Sequence, residues 1–213
     1  MLKTAMNLFS AIVALVKLGR DPNRTDQIFR LVDSLPRSKA DAALAAMRKN
    51  PHVDAVLTSR PRMTRLPSMQ VLEACPEGSL GRAVATFFRD NNLDPDIFPD
   101  YATDDELEYI KHFMSQTHDV RHVLLGYGSD PINEIRIQAF DAAQFGLPLP
   151  PILIAMTLLE AAVKKPDEIV PRLDAITEGF RRGRVAANMF GVDVNAMIGE
   201  PLESVRSRFG LVA

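Results

Sequence analysis

The chain has 213 residues, 46% hydrophobic and 24% charged, with a formal net charge of −2. That composition fits a soluble globular protein with one sizeable core, or at most a main domain with a smaller appendage, and excludes a global attraction for nucleic acid. The single Cys75 excludes an intramolecular disulfide and agrees with a reducing compartment.

In chain order, Thr4 to Val16 is an uncharged, mostly apolar run after Lys3. It is too short to span a membrane, and Lys17, Leu18 and Arg20 interrupt a cleavage-site pattern, so it reads as a buried or membrane-surface helix. Helical spacing follows in Thr25 to Leu35 and Ser38 to Lys49, then a Pro-rich stretch from Pro51 to Pro76 that reads as the most loop-rich region of the chain. Ser79 to Asn91 is a helix with Leu80, Val84, Phe87 and Phe88 on one face. Thr103 with Glu106 has capping-box spacing and marks the start of a long helix that Gly126 ends. Asp130 with Pro131 starts the next, and prolines open three more at Pro150 to Val163, Pro166 to Arg182 and Pro201 to Phe209. The expected fold is mainly α: a single-domain helical bundle over residues 1–213, with N-terminal helices over 1–75.

Chemistry concentrates in His118-Asp119-Val120-Arg121-His122, with Glu134 twelve residues on. Both histidines continue the stripe of Leu107, Ile110, Met114 and Leu125, so they point inward from one helix face. A short loop to the Asp130-Pro131 helix makes a hairpin that returns Glu134 beside them. Two imidazoles and one or two carboxylates suit a divalent metal, zinc first, with iron or manganese open. Asp119 points about 100° away around the helix, either ligating at an angle or orienting an imidazole. The competing reading makes the histidines hydrogen-bonded core residues and Glu134, Gln138 and Asp141 an ordinary solvated face.

Beyond the pentad, Pro76-Glu77-Gly78-Ser79-Leu80-Gly81-Arg82, Asp105-Glu106-Leu107-Glu108-Tyr109-Ile110, Leu124-Leu125-Gly126, Phe140-Asp141 and Gln144-Phe145-Gly146-Leu147-Pro148 occur in order. Arg182-Gly183-Arg184 and Pro201-Leu202-Glu203 through Gly210 follow. Together with His118-Asp119-x-x-His122 and Glu134, these pieces resemble the Coq-four family of ubiquinone (coenzyme Q) biosynthesis proteins, over about residues 76–213. Asn133, Ala139, Phe145 and Val84 depart from the family pattern beside the candidate ligands, all four of which are present.

The resemblance implies a mainly helical protein acting on polyprenyl-tailed intermediates, in decarboxylation at ring carbon one of a prenylated hydroxybenzoate. The alternative it implies is a non-catalytic, prenyl-lipid-binding scaffold that organises other ubiquinone biosynthesis enzymes. It also implies peripheral attachment to a membrane surface: the inner membrane from the cytoplasm if the source is bacterial, the mitochondrial inner membrane if eukaryotic. A homodimer is expected because two-fold oligomers are commonest.

An apolar channel for a tail has candidate linings in Leu8, Phe9, Ile12 and Leu15 and in Ile152 to Leu159, which composition alone assigns to core. Arg82, Arg121 and Arg136 offer guanidinium forks for a carboxylate or phosphate, unless they are ordinary surface arginines. Arg82 leads, since it follows a helix start where free backbone donors help an anion. A His-Asp phosphohydrolase fits poorly, because His52, His112 and Asp174 lack the required spacing, and no third-ligand pattern of a metalloprotease follows the pentad.

Overall fold

The computed structural model describes residues 37–95 and 104–212, so the expected N-terminal helices before Arg37, Thr103 and Leu8, Phe9, Ile12 and Leu15 lie outside the described residues. Among the described residues nine α-helices follow one another: α1 Arg37–Met47, α2 Pro51–Ser59, α3 Met69–Glu73, α4 Leu80–Asp90, α5 Glu106–Leu125, α6 Pro131–Phe145, α7 Leu149–Lys164, α8 Ile169–Val185 and α9 Leu202–Arg208. Short 3-10 turns at Pro166–Glu168 and Val194–Met197 interrupt the later part. Among the described residues there is no strand, only an antiparallel bridge between Ser79 and Pro201. The fold is mainly α, as expected.

One local expectation changes. The stretch from Pro51 to Pro76 is not all loop, since α2 begins at Pro51 with the Asn50 side chain accepting from His52 N at 3.0 Å. Proline at the first helical position lacks only an N–H that the helix could not use, so here it starts a helix. The long helix α5 is capped by Asp105, whose Oδ1 accepts from Leu107 N and Glu108 N.

α5 lies at the centre of the core. Tyr109, Phe113, Val120 and Leu124 are buried on it, and Phe113 meets Phe190 and Phe145 edge-on at 4.9 and 5.5 Å between ring centroids. Phe190 belongs to the chain after α8, which folds back across the core with Met189, Val194 and Met197. Gln144 on α6 fastens that return: its Nε2 donates to Gly183 O at 2.8 Å, and its Oε1 accepts from Met189 N at 2.9 Å. The two Pro-Gly-containing pieces at 76–82 and 198–202 also meet, with Leu80 N donating to Glu200 O, Gly81 N to Ile198 O and Leu202 N to Gly78 O.

α6 packs most extensively against α8, and the crossing is set by glycine. A Cβ on Gly179 would stand 2.0 Å from Arg136 O, and one on Gly183 would stand 2.6 Å from Phe140 O. Backbones therefore touch where side chains normally intervene. α7 is different. It is apolar along its length, yet Ile152, Leu159 and Val163 are 38%, 67% and 74% exposed, so the core reading of Ile152 to Leu159 fails. Arg172, itself buried, anchors α7 to α8 through Glu160, Glu168 and Thr157 O.

Gly179→Ala is expected to lower stability by about 1–3 kcal/mol, since overpacking against a backbone oxygen forces the helices apart and exceeds the helix-propensity gain of about 1 kcal/mol. Urea unfolding checks it; an unchanged or higher midpoint would show that the crossing is not close-packed.

Candidate metal centre

The sequence builds this site from two helices and the turn between them. Gly126 takes the left-handed conformation at φ +71 and ends α5, with Tyr127 N donating to His122 O at 2.9 Å. Asp130 then caps α6 by accepting from Ile132 N and Asn133 N, and Pro131 occupies its first position. Glu134 falls in the first turn of α6 and faces the histidines on α5.

His118 Nε2, His122 Nε2 and a Glu134 oxygen form one group. The two ring nitrogens are 3.3 Å apart, His122 Nε2 is 3.3 Å from Oε1 of Glu134, and His118 Nε2 is 3.5 Å from Oε2. Donor atoms around a tetrahedral ion with bonds of about 2.0–2.1 Å stand about 3.3–3.4 Å apart; the two ring nitrogens already have that spacing, and with one Glu134 oxygen the three donors lie within 4.8 Å of one another. His122 is buried and Phe87 of α4 stacks on it at 5.4 Å and 24°, while His118 and Glu134 are 25% and 42% exposed. The pair has a closed inner wall and an open outer rim. His122 Nδ1 has no hydrogen-bond partner among the described residues, so its ring is held by stacking on Phe87 and by the contacts of Nε2 with His118 and Glu134.

Asp119 is partly buried on α5, and its carboxylate is not among the donor atoms that lie within 4.8 Å of one another. Its charge nevertheless bears on His118. Burial works against the imidazolium, but the Glu134 contact and then the Asp119 charge outweigh it and raise the His118 pKa. Burial likewise works against an ionised Glu134, yet the contacts with His118 and His122 hold its carboxyl well below the usual range.

The arginine expectations fare unevenly. Arg82 donates its Nε to Cys75 O at 3.2 Å, and its backbone N donates to Ser79 Oγ. With Leu80 N and Gly81 N given to carbonyls of the 198–200 segment, the free backbone donors expected to help an anion there are used by the chain itself. Arg121 is not a surface grip: it is 1% exposed and pairs with Asp141, which is fully buried rather than on a solvated face. Nη2 donates to Oδ2 at 2.9 Å, and Nε lies 2.9 Å from Oδ1 as an ion contact without good hydrogen-bond alignment. Burial raises the Asp141 pKa against the opposing charge of Arg121. Arg136 pairs with Glu178 and covers the Tyr127 ring at 5.2 Å.

Residues that spacing could not reveal hold the histidine helix in place. Arg206 gives Nε to Leu124 O at 3.0 Å and Nη2 to Val123 O at 2.7 Å, and Arg182 gives Nη1 to Leu125 O at 2.9 Å. Two cations thus satisfy the last carbonyls of α5 and oppose its negative end. Arg182 and Arg206 sit in motif pieces near the C-terminus, which was their only signal.

These features define a mainly helical protein whose central helix offers two imidazoles to a carboxylate from the next helix. The whole chain, residues 1–213, matches the family model described as coenzyme Q (ubiquinone) biosynthesis protein Coq4. The chain belongs to that family. It is 27% identical over 194 residues to the mitochondrial ubiquinone biosynthesis protein COQ4 homolog of Bos taurus, covering 90% of this chain and 72% of that one. The Danio rerio homolog is 29% identical over 151 residues, covering 69% of this chain and 54% of that protein. The chain therefore spans between about half and three quarters of these relatives. A crystal structure from Nostoc punctiforme, named for ubiquinone biosynthesis, superposes with a TM-score of 0.80 at 22% identity, covering 97% of this chain and 99% of that one. At that identity the likeness establishes the fold alone.

The His–Glu contact carries a pH signature. Glu134 has a depressed pKa, so its contribution to stability is present above its ordinary 4.5 and lost as the pH falls through its folded value. His118 has a raised pKa, so its contribution is full below its ordinary 6.5 and lost as the pH rises through its folded value. These are two ends of one interaction. Chelator-treated protein is therefore expected to draw most stability from this contact between pH 4.5 and 6.5. Glu134→Gln should flatten that maximum in circular-dichroism melts across pH; an identical profile in native and variant chains would refute a charged contact.

Proposed function

We propose that the chain binds one divalent metal ion, zinc first and iron or manganese next, through His118, His122 and Glu134, and acts in ubiquinone biosynthesis by decarboxylating a prenylated hydroxybenzoate at ring carbon one. The observation that carries the metal reading is the convergence of three donors from two helices within 4.8 Å of one another, with the ring nitrogens 3.3 Å apart. The decarboxylation reading rests on family membership.

When bound, the ion would supply a Lewis acid able to hold a carboxylate or phenolic oxygen and accept the charge that develops as carbon dioxide leaves. The rest is the work of this chain. His122 and Phe87 form the inner wall and keep water from that side. His118 and Glu134 sit at the exposed rim, where a ring-bearing substrate can approach. Asp119 acts from beside the donor set by adding negative charge near His118. Arg121 and Arg136 are engaged in ion pairs within the chain, and Arg82 is tied to a carbonyl of α3's end, so none of the three is needed for this reading.

A specific observation favours a second reading, that of a scaffold holding prenyl lipid, a membrane surface or other enzymes of the pathway. Leu159, Val163, Val170, Leu173 and Phe180 on α7 and α8 expose large apolar side chains. Among the described residues no helix is long and apolar enough to cross a membrane, so contact with a bilayer through this face would be peripheral.

Elemental analysis of purified protein is expected to find about one equivalent of metal in the native chain and none after His118→Ala with His122→Ala. Glu134→Ala, if folded, should lose decarboxylation of a prenylated hydroxybenzoate by at least about tenfold, in keeping with loss of a ligand or its support. Full activity in folded Glu134→Ala would overturn the catalytic reading and leave the scaffold.

A further inference from the structure

α5 and α6 carry all three donors, yet their backbones hardly approach each other, since α6 lies against α8 and α7 instead. Side chains span the gap at three levels: Phe113 to Phe145, Arg121 to Asp141, and the histidines to Glu134. The first is an edge contact between rings, which tolerates sliding. The middle level is charged and buried, and its Nη2–Oδ2 hydrogen bond makes it directional.

Its placement relates it to the donors. Arg121 follows His118 by three residues and precedes His122 by one, while Asp141 lies seven residues, close to two full turns, beyond Glu134 on the same face of α6. Arg121 itself has little freedom. Its Nη1 donates to Thr117 Oγ1, Thr117 donates to Phe113 O at 2.6 Å, and the guanidinium lies over the rings of Phe113 and Phe145 at 5.7 and 5.3 Å. A rotation of either helix would break the Nη2–Oδ2 hydrogen bond before it separated the aromatic rings.

We propose that the Arg121–Asp141 pair is a positioning element that sets the spacing and rotation of α5 against α6, and through them the spread of His118, His122 and Glu134. The inference rests on the metal reading above. Neither residue touches the ion or substrate; both act through the helices that carry the ligands.

The test uses the full chain and cobalt(II), whose d–d absorption reports coordination geometry. Two variants are compared with the native protein: Asp141→Asn, and the double change Arg121→Met with Asp141→Leu, which removes both buried charges and leaves apolar side chains that can pack. Circular-dichroism melts establish which are folded, and the double variant covers the case in which Asp141→Asn leaves Arg121 unpaired and unfolds. Native protein is expected to bind one cobalt, and the folded variants to bind it about 10–100-fold more weakly, as for residues that orient ligands from behind, with shifted d–d bands. Native affinity and an unchanged spectrum in the folded double variant would overturn the positioning role while leaving the metal reading intact. Native protein that binds no cobalt would overturn the metal reading itself, and the inference with it.

Discussion

The central helix, α5, is surrounded by protein on nearly every side, and that constraint governs the rest of the structure. A buried helix must find partners inside the fold for most of the polar groups it carries, because an unpaired one costs about 1–3 kcal/mol. α5 buries His112, Ser115, Gln116, Thr117, Arg121 and His122 among its apolar residues. Ser115 and Thr117 return their hydroxyls to carbonyls of the preceding turn, Gln116 accepts from Leu66 N, and Arg121 takes Asp141 from α6. Tyr109 gives its hydroxyl to Pro61 O, and burial pushes its pKa up to about 12. At the helix end the free carbonyls take Arg182 and Arg206. The distant pieces of chain are thus drawn in by the unsatisfied groups of one helix.

Close packing elsewhere complements this arrangement. The glycine crossing of α6 and α8 lets the two backbones touch, which fixes α6 from behind and leaves its other face free to look across at α5. The gap on that side is filled by long or aromatic side chains. A metal centre placed in such a gap can be tuned by the side chains that hold it open, and its outer rim stays reachable because the hairpin turn ends near Glu134. α7 and α8 add an exposed apolar surface to the same molecule. Arg172 holds these helices together from within, so their apolar residues are free to face outward.

Family membership and the donor geometry support different parts of the functional picture. The first places the chain in coenzyme Q biosynthesis. The second concerns only which atoms can meet an ion. The proposed chemistry at the ring and contact with a prenyl tail rest on both, together with the exposed apolar surface.

Most of the helical order was legible in the chain itself, because periodic apolar residues and chain-stopping Gly and Pro are local signals. Asp130-Pro131 and Gly126 announced the hairpin turn, and His118, His122 and Glu134 announced a donor set, since four-residue spacing puts two imidazoles on one face whatever surrounds it. Proline misled at Pro51, where Asn50 turns a breaker into a helix start. Tertiary structure alone decided that Arg121 is buried against Asp141, that Asp141 is not on a solvated face, and that Arg182 and Arg206 end α5. It also decided that α7 exposes an apolar side. The physical reason is the same in each case. Spacing along one helix determines which residues share a face, but what that face meets depends on distant parts of the chain.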